Sequence, residues 1–93
     1  MIEGTTKSGF KFKYDDRILN DYELLEAIGE FDASSTKFQQ VAALKRVLDY
    51  LLGENKDALM RHIASKNDGF KPLDIVQAEI LEIIQASDKI KNS

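Results

Sequence analysis

Thr36 to Leu52, TKFQQVAALKRVLDYLL, carries the periodicity of a long amphipathic helix. Phe38, Val41, Ala42, Leu48 and Leu52 recur at the three- and four-residue spacing that aligns side chains on one helix face, and Leu44, Val47 and Leu51 widen it. So broad an apolar surface predicts a central helix that other elements cover. A helix of this length rises roughly 25 Å, about the diameter of a small domain, so its neighbours can pack along all of it. Ser34, Ser35 or Thr36 can cap its first amides, and Gln39 completes a capping box if Thr36 is the cap. Gly53 follows as a residue free to turn with positive φ.

Upstream the periodicity changes from helical to alternating near residue 15. Residues 2–14 read as a hairpin turning at Ser8-Gly9, with Phe10, Phe12 and Tyr14 on one face and Lys11 and Lys13 on the other. A lone hairpin is marginal in water, so its aromatic face is expected to lie on helices. Aromatics interleaved with lysines also match a stacking platform for single-stranded nucleic acid, against which the acidic balance of the chain counts. A first helix is predicted over 21–31, with Asn20 and Glu23 in a capping-box pattern. Leu24, Leu25, Ile28 and Phe31 form its expected buried stripe, while Glu23, Glu26 and Glu30 point outward.

Downstream, a short helix is predicted over 56–64, with Leu59, Met60 and Ile63 inward. His62 has no cysteine, no nucleophile motif and no second metal ligand beside it, which makes it a surface or boundary residue. Two helices joined by a glycine turn also resemble a helix-turn-helix, but Lys56, Arg61 and Lys66 are few cations for a DNA-binding face. The turn Lys66-Asn67-Asp68-Gly69 lacks the alternating ligands of a calcium loop. Pro72 then opens a last helix over 72–89, where Leu73, Val76, Ile80, Ile83 and Ile90 keep a three-four alternation interrupted by Ser87. Ile75, Leu81 and Ile84 widen its apolar surface beyond one face, which marks them as candidate partner-binding residues; the open edge of the hairpin, which can accept a partner strand, is the alternative.

These elements predict an α+β fold, predominantly helical, in which an N-terminal β-hairpin packs on a bundle of about four α-helices. The 93 residues, 43% hydrophobic, are expected to form a single domain. The absence of cysteine rules out disulfides and thiol nucleophiles and suits a reducing cytoplasm. No segment has the length and apolarity of a signal peptide or membrane span, so a soluble protein without a membrane partner is expected. The net charge of −3 is unevenly placed: Asp15, Asp16, Asp21, Glu23, Glu26, Glu30 and Asp32 face only Arg17 between positions 15 and 32. That acidic segment, Glu23, Glu26 and Glu30 above all, could steer basic stretches of a partner. There is no nucleophile–base pairing, metal-ligand cluster or phosphate loop, so no enzyme activity, cofactor or metal is expected.

The run GTTKSGFKFKYDDRILNDYELLEAIGEFD (4–32), then VAALKRVLDYLLGENKDALMRHI (41–63), a turn and a closing helix, resembles the small tail assembly chaperones of long-tailed (siphovirus) phages and prophages of Gram-positive bacteria. The most telling parts are TTKSGFKFKYDD leading into NDYELLEAI, and LLGENKDALMRHI. The resemblance implies a morphogenetic role in the host cytoplasm: coating the tape-measure protein, keeping it soluble and helping bring tail-tube subunits to it. The acidic balance of the chain, for its part, leads to the expectation of no nucleic-acid partner. The resemblance carries no catalytic residue. It also implies that 93 residues are the shorter of two products, because Ile90-Lys91-Asn92 can be encoded by a run on which a ribosome slips. A homo-oligomer is compatible with it. The competing readings are a small helical DNA-binding regulator and a structural head-tail component of a virion.

Overall fold

The computed structural model describes residues 1–91 and is α+β, mainly helical. Strands β1 (Ile2–Thr5) and β2 (Lys11–Tyr14) form an antiparallel hairpin in the register Ile2↔Tyr14, Glu3↔Lys13, Gly4↔Phe12 and Thr5↔Lys11. Gly9, at φ +99°, supplies the left-handed residue of its turn, and Thr6 Oγ1 accepts from the Phe10 amide at 3.1 Å across the loop. As the alternation predicted, Phe10, Phe12 and Tyr14 are buried and Lys11 and Lys13 exposed. Gly4 is opposite Phe12, whose ring crosses the space a side chain at residue 4 would occupy: a Cβ there would lie 2.8 Å from Phe12 Cζ.

A 3-10 turn (Asp16–Asn20) leads into helix α1 (Tyr22–Ala33). Asp15 caps the turn and Arg17 grips it from the side, and that side-chain hydrogen bond lowers the Asp15 carboxyl to about 2. Because Asn20 is used up in the turn, the α1 cap is Asp21, which accepts from the Glu23 and Leu24 amides at 2.9 and 3.4 Å. The buried stripe of α1 also differs from expectation. Leu24 and Ala27 are fully buried and Ile28 and Phe31 partly so, whereas Leu25 is exposed. At 100° per residue the 24-27-28-31 set shares one face and Leu25 falls off it.

Helix α2 (Lys37–Leu52) is capped by Thr36, whose Oγ1 accepts from the Gln39 amide at 3.1 Å. The Gln39 side chain returns to the Ser35 amide at 2.8 Å, closing the box one residue earlier than the sequence pattern implies. Leu44, Val47, Leu48, Leu51 and Leu52 are buried as predicted, joined by Ala43. Phe38, Val41 and Ala42 are not, and Phe38 is 89% exposed. Phe38 lies about 120° round the helix from Leu44, outside the sector that α1 and α4 cover, and Ala42 lies farther still.

Gly53, at φ +55°, ends α2, and a 3-10 turn passes directly into α3 (Lys56–Lys66). Asp68 and Gly69, both at positive φ, turn the chain into α4 (Leu73–Lys91). Each helix contributes to one core: Leu24 from α1, Leu51 from α2, Leu59 and Ile63 from α3 and Ile83 from α4 are its largest fully buried side chains. The hairpin closes over it, and Tyr14 Oη donates to the Ile83 carbonyl at 2.8 Å. Asn92 and Ser93, and the side chain of Ile90, on which the slippage expectation and the last apolar position fall, lie outside the described residues.

Candidate functional site

The helices diverge at two places and leave apolar grooves. The first lies between α1 and α4: Leu44, Val47 and Ile80 form its floor, Ile28 and Phe31 one wall, and Leu81 and Ile84 the other, enclosing about 220 Å³. Leu81 is 55% exposed and Ile84 half-buried against the core. Asp32 and Gln77 stand at its margin. Ile75, the third residue singled out on this helix, is elsewhere. It lines a separate cleft with Ser8, His62 and Lys66, because six residues of α-helix carry it most of the way to the opposite face from Leu81. Leu81 and Ile84 therefore make one site and Ile75 does not join it.

Glu23, Glu26 and Glu30 are exposed but engaged. Arg46 of α2 pairs with Glu26 at 2.9 Å and with Glu30 at 2.6 Å, and the Tyr50 hydroxyl donates to Glu23. Hydrogen bonds to Glu30 and then Glu26 raise the already high Arg46 pKa, and the bond to Glu23 raises that of Tyr50. These carboxylates thus lace α1 antiparallel to α2. One cation, Arg46, answers two of these carboxylates and the partner of Glu23 is an uncharged hydroxyl, so the face keeps a net negative charge.

A partly buried polar node, with Glu79 as its one fully buried member, sits where the hairpin turn meets α3 and α4. Ser8 Oγ donates to Glu79 Oε1, His62 Nε2 lies 3.0 Å from Ser8 Oγ and 3.2 Å from the Ser8 carbonyl, and the Lys7 amide donates to Glu82 at 2.7 Å. Serine, histidine and glutamate together suggest nucleophile chemistry, but the hydrogen bonds run the wrong way. A carbonyl only accepts, so Nε2 carries the hydrogen and is not a base for Ser8, and Glu79 binds the hydroxyl rather than orienting the imidazole. The node is a clamp for the turn. Sequence reading missed Glu79, although a glutamate among Val76, Ile80 and Ile83 breaks the apolar stripe and signals a buried partner.

No family model matches the chain, and no curated protein or solved structure is significantly similar to it. Among the described residues no cluster of three or more His, Asp or Glu side chains could hold a metal, and no helix is long and apolar enough to cross a membrane.

Proposed function

We propose that this chain is a phage tail assembly chaperone, which binds and solubilises the tape-measure protein and helps recruit tail-tube subunits. The observation that carries the reading is the α1/α4 groove: a trough lined by Ile28, Phe31, Leu81 and Ile84, with Leu81 left exposed at its edge. An aggregation-prone helical client needs apolar surface to cover its own, held on a carrier whose remaining exterior is charged. The resemblance of residues 4–32 and 41–63 to that family supports the same role. Apolar contact in the groove supplies the affinity, and Asp32 at its margin disfavours an acidic client segment.

The test is solubility of a tape-measure protein on co-expression in a bacterial host. The wild-type chain should move the client into the soluble fraction. Leu81→Lys, which changes an exposed position and should keep the helical circular dichroism spectrum, should abolish that rescue. Retention of both fold and rescue in Leu81→Lys would remove the groove from the mechanism. Tight, salt-sensitive DNA binding without any rescue would favour the regulator reading instead.

A further inference from the structure

The second groove lies on the other side of Leu44, between α2, α3 and the first turns of α4, and its chemistry differs from the first. Val41, Leu44, Leu48, Met60, Leu73 and Val76 line it, enclosing about 540 Å³. Its rim is formed by Lys45, Lys56, Lys71 and Asp57. Lys56 is held by Asp49 at 2.5 Å, but among the described residues neither Lys45 nor Lys71 makes an ion pair. Two unmatched cations thus flank an apolar trough in a chain whose net charge is −3. The trough also extends beyond its walls, because Phe38 continues it from Val41 along α2 as an exposed side chain that none of the described residues covers.

Each feature restricts the occupant. From Phe38 to Leu48 the α2 wall advances about 15 Å, three helical turns, which suits a helix presenting apolar residues at i, i+3 or i+4, and i+7. An apolar small molecule would give Lys45 and Lys71 nothing to pair with. A basic helix would bring like charges to the rim, where they repel. Carboxylates flanking the apolar stripe of the incoming helix meet both lysines while its apolar side chains cover Val41, Leu48 and Met60. We propose that this groove docks an acidic amphipathic helix of another protein. The inference goes beyond the chaperone reading, since it concerns a different groove with the opposite charge preference from that of the α1/α4 site.

Two synthetic helical peptides test it, with identical leucines at i, i+3 and i+7 and either glutamate or lysine at the flanking positions. Each is titrated into the full chain and followed by amide NMR. The glutamate peptide should bind and shift the amides of Val41, Lys45, Met60 and Lys71. The Lys45→Glu/Lys71→Glu variant should lose affinity for it by about tenfold and gain affinity for the lysine peptide. Both substitutions lie on exposed side chains. Should the double reversal unfold the chain, the milder Lys45→Gln/Lys71→Gln pair should still weaken the glutamate peptide by about threefold. Leu81→Lys, which tests the other groove, should leave this binding unchanged. Equal binding of both peptides, binding of neither, or shifts confined to the Leu81 groove would overturn the proposal. So would shifts at Val41 and Met60 that grow with protein concentration alone, because they would assign the groove to a second copy.

Discussion

Gly4→Ala probes the seating of the hairpin on the core through one added carbon. The backbone of residue 4 is an ordinary β strand, so alanine meets no conformational barrier there; the obstacle is the Phe12 ring, with Cζ 2.8 Å from the new Cβ. Phe12 cannot slide away freely, since it is buried and stacked on Tyr14 at 6.1 Å between ring centroids. Overpacking of this kind costs about 1–3 kcal/mol, and the reduced freedom of alanine in the unfolded chain returns about 0.4–1 kcal/mol. The net expectation is a destabilisation of about 1–2 kcal/mol, or a fall in Tm of about 4–16 °C for a domain of this size. Thermal and urea denaturation followed by circular dichroism measure it. In a Phe12→Leu background, where Cζ is gone, the same substitution should cost less than about 0.5 kcal/mol, so the two changes should couple strongly. A Gly4→Ala protein as stable as wild type, or equal costs in both backgrounds, would refute the contact as the reason for glycine.

Leu48→Ala should cost about 2–5 kcal/mol in urea denaturation, because Leu48 is buried in the α2 stripe, while Phe38→Ala should change stability by less than about 0.5 kcal/mol. Ser8→Ala removes the hydroxyl that donates to buried Glu79 and should cost about 1–3 kcal/mol. Adding Glu79→Leu should recover part of that loss, and a strictly additive double mutant would show that the node is not coupled. The Asp15 carboxyl, held down by Arg17, should titrate near about 2 by NMR and move up toward 3.8 in Arg17→Ala. Its folded-state pKa is depressed, so its stabilising effect is complete above 3.8 and disappears as pH falls through about 2.

The elements of this protein were written locally. Alternation of aromatics and lysines specified β2, Thr36 and Gln39 the start of α2, and the three-four spacing of leucines and isoleucines the helices, because each depends on residues within one or two turns. The α1 cap shows the limit of such reading: Asn20 and Asp21 are both good caps, and the 3-10 turn that consumes Asn20 decided between them. Which apolar residues are buried was not local at all. Phe38 and Val41 satisfy the same three-four rule as Leu48, yet they stay exposed because no other described helix crosses them. The candidate site followed the same division. Leu81 and Ile84 were identifiable as surplus apolar surface on α4, but their separation from Ile75, the pairing of Glu26 and Glu30 with Arg46, and both grooves arose only when α4 was laid against α2. Periodicity fixes which face of a helix is apolar, whereas the positions of the neighbouring helices fix how much of that face is left for a partner.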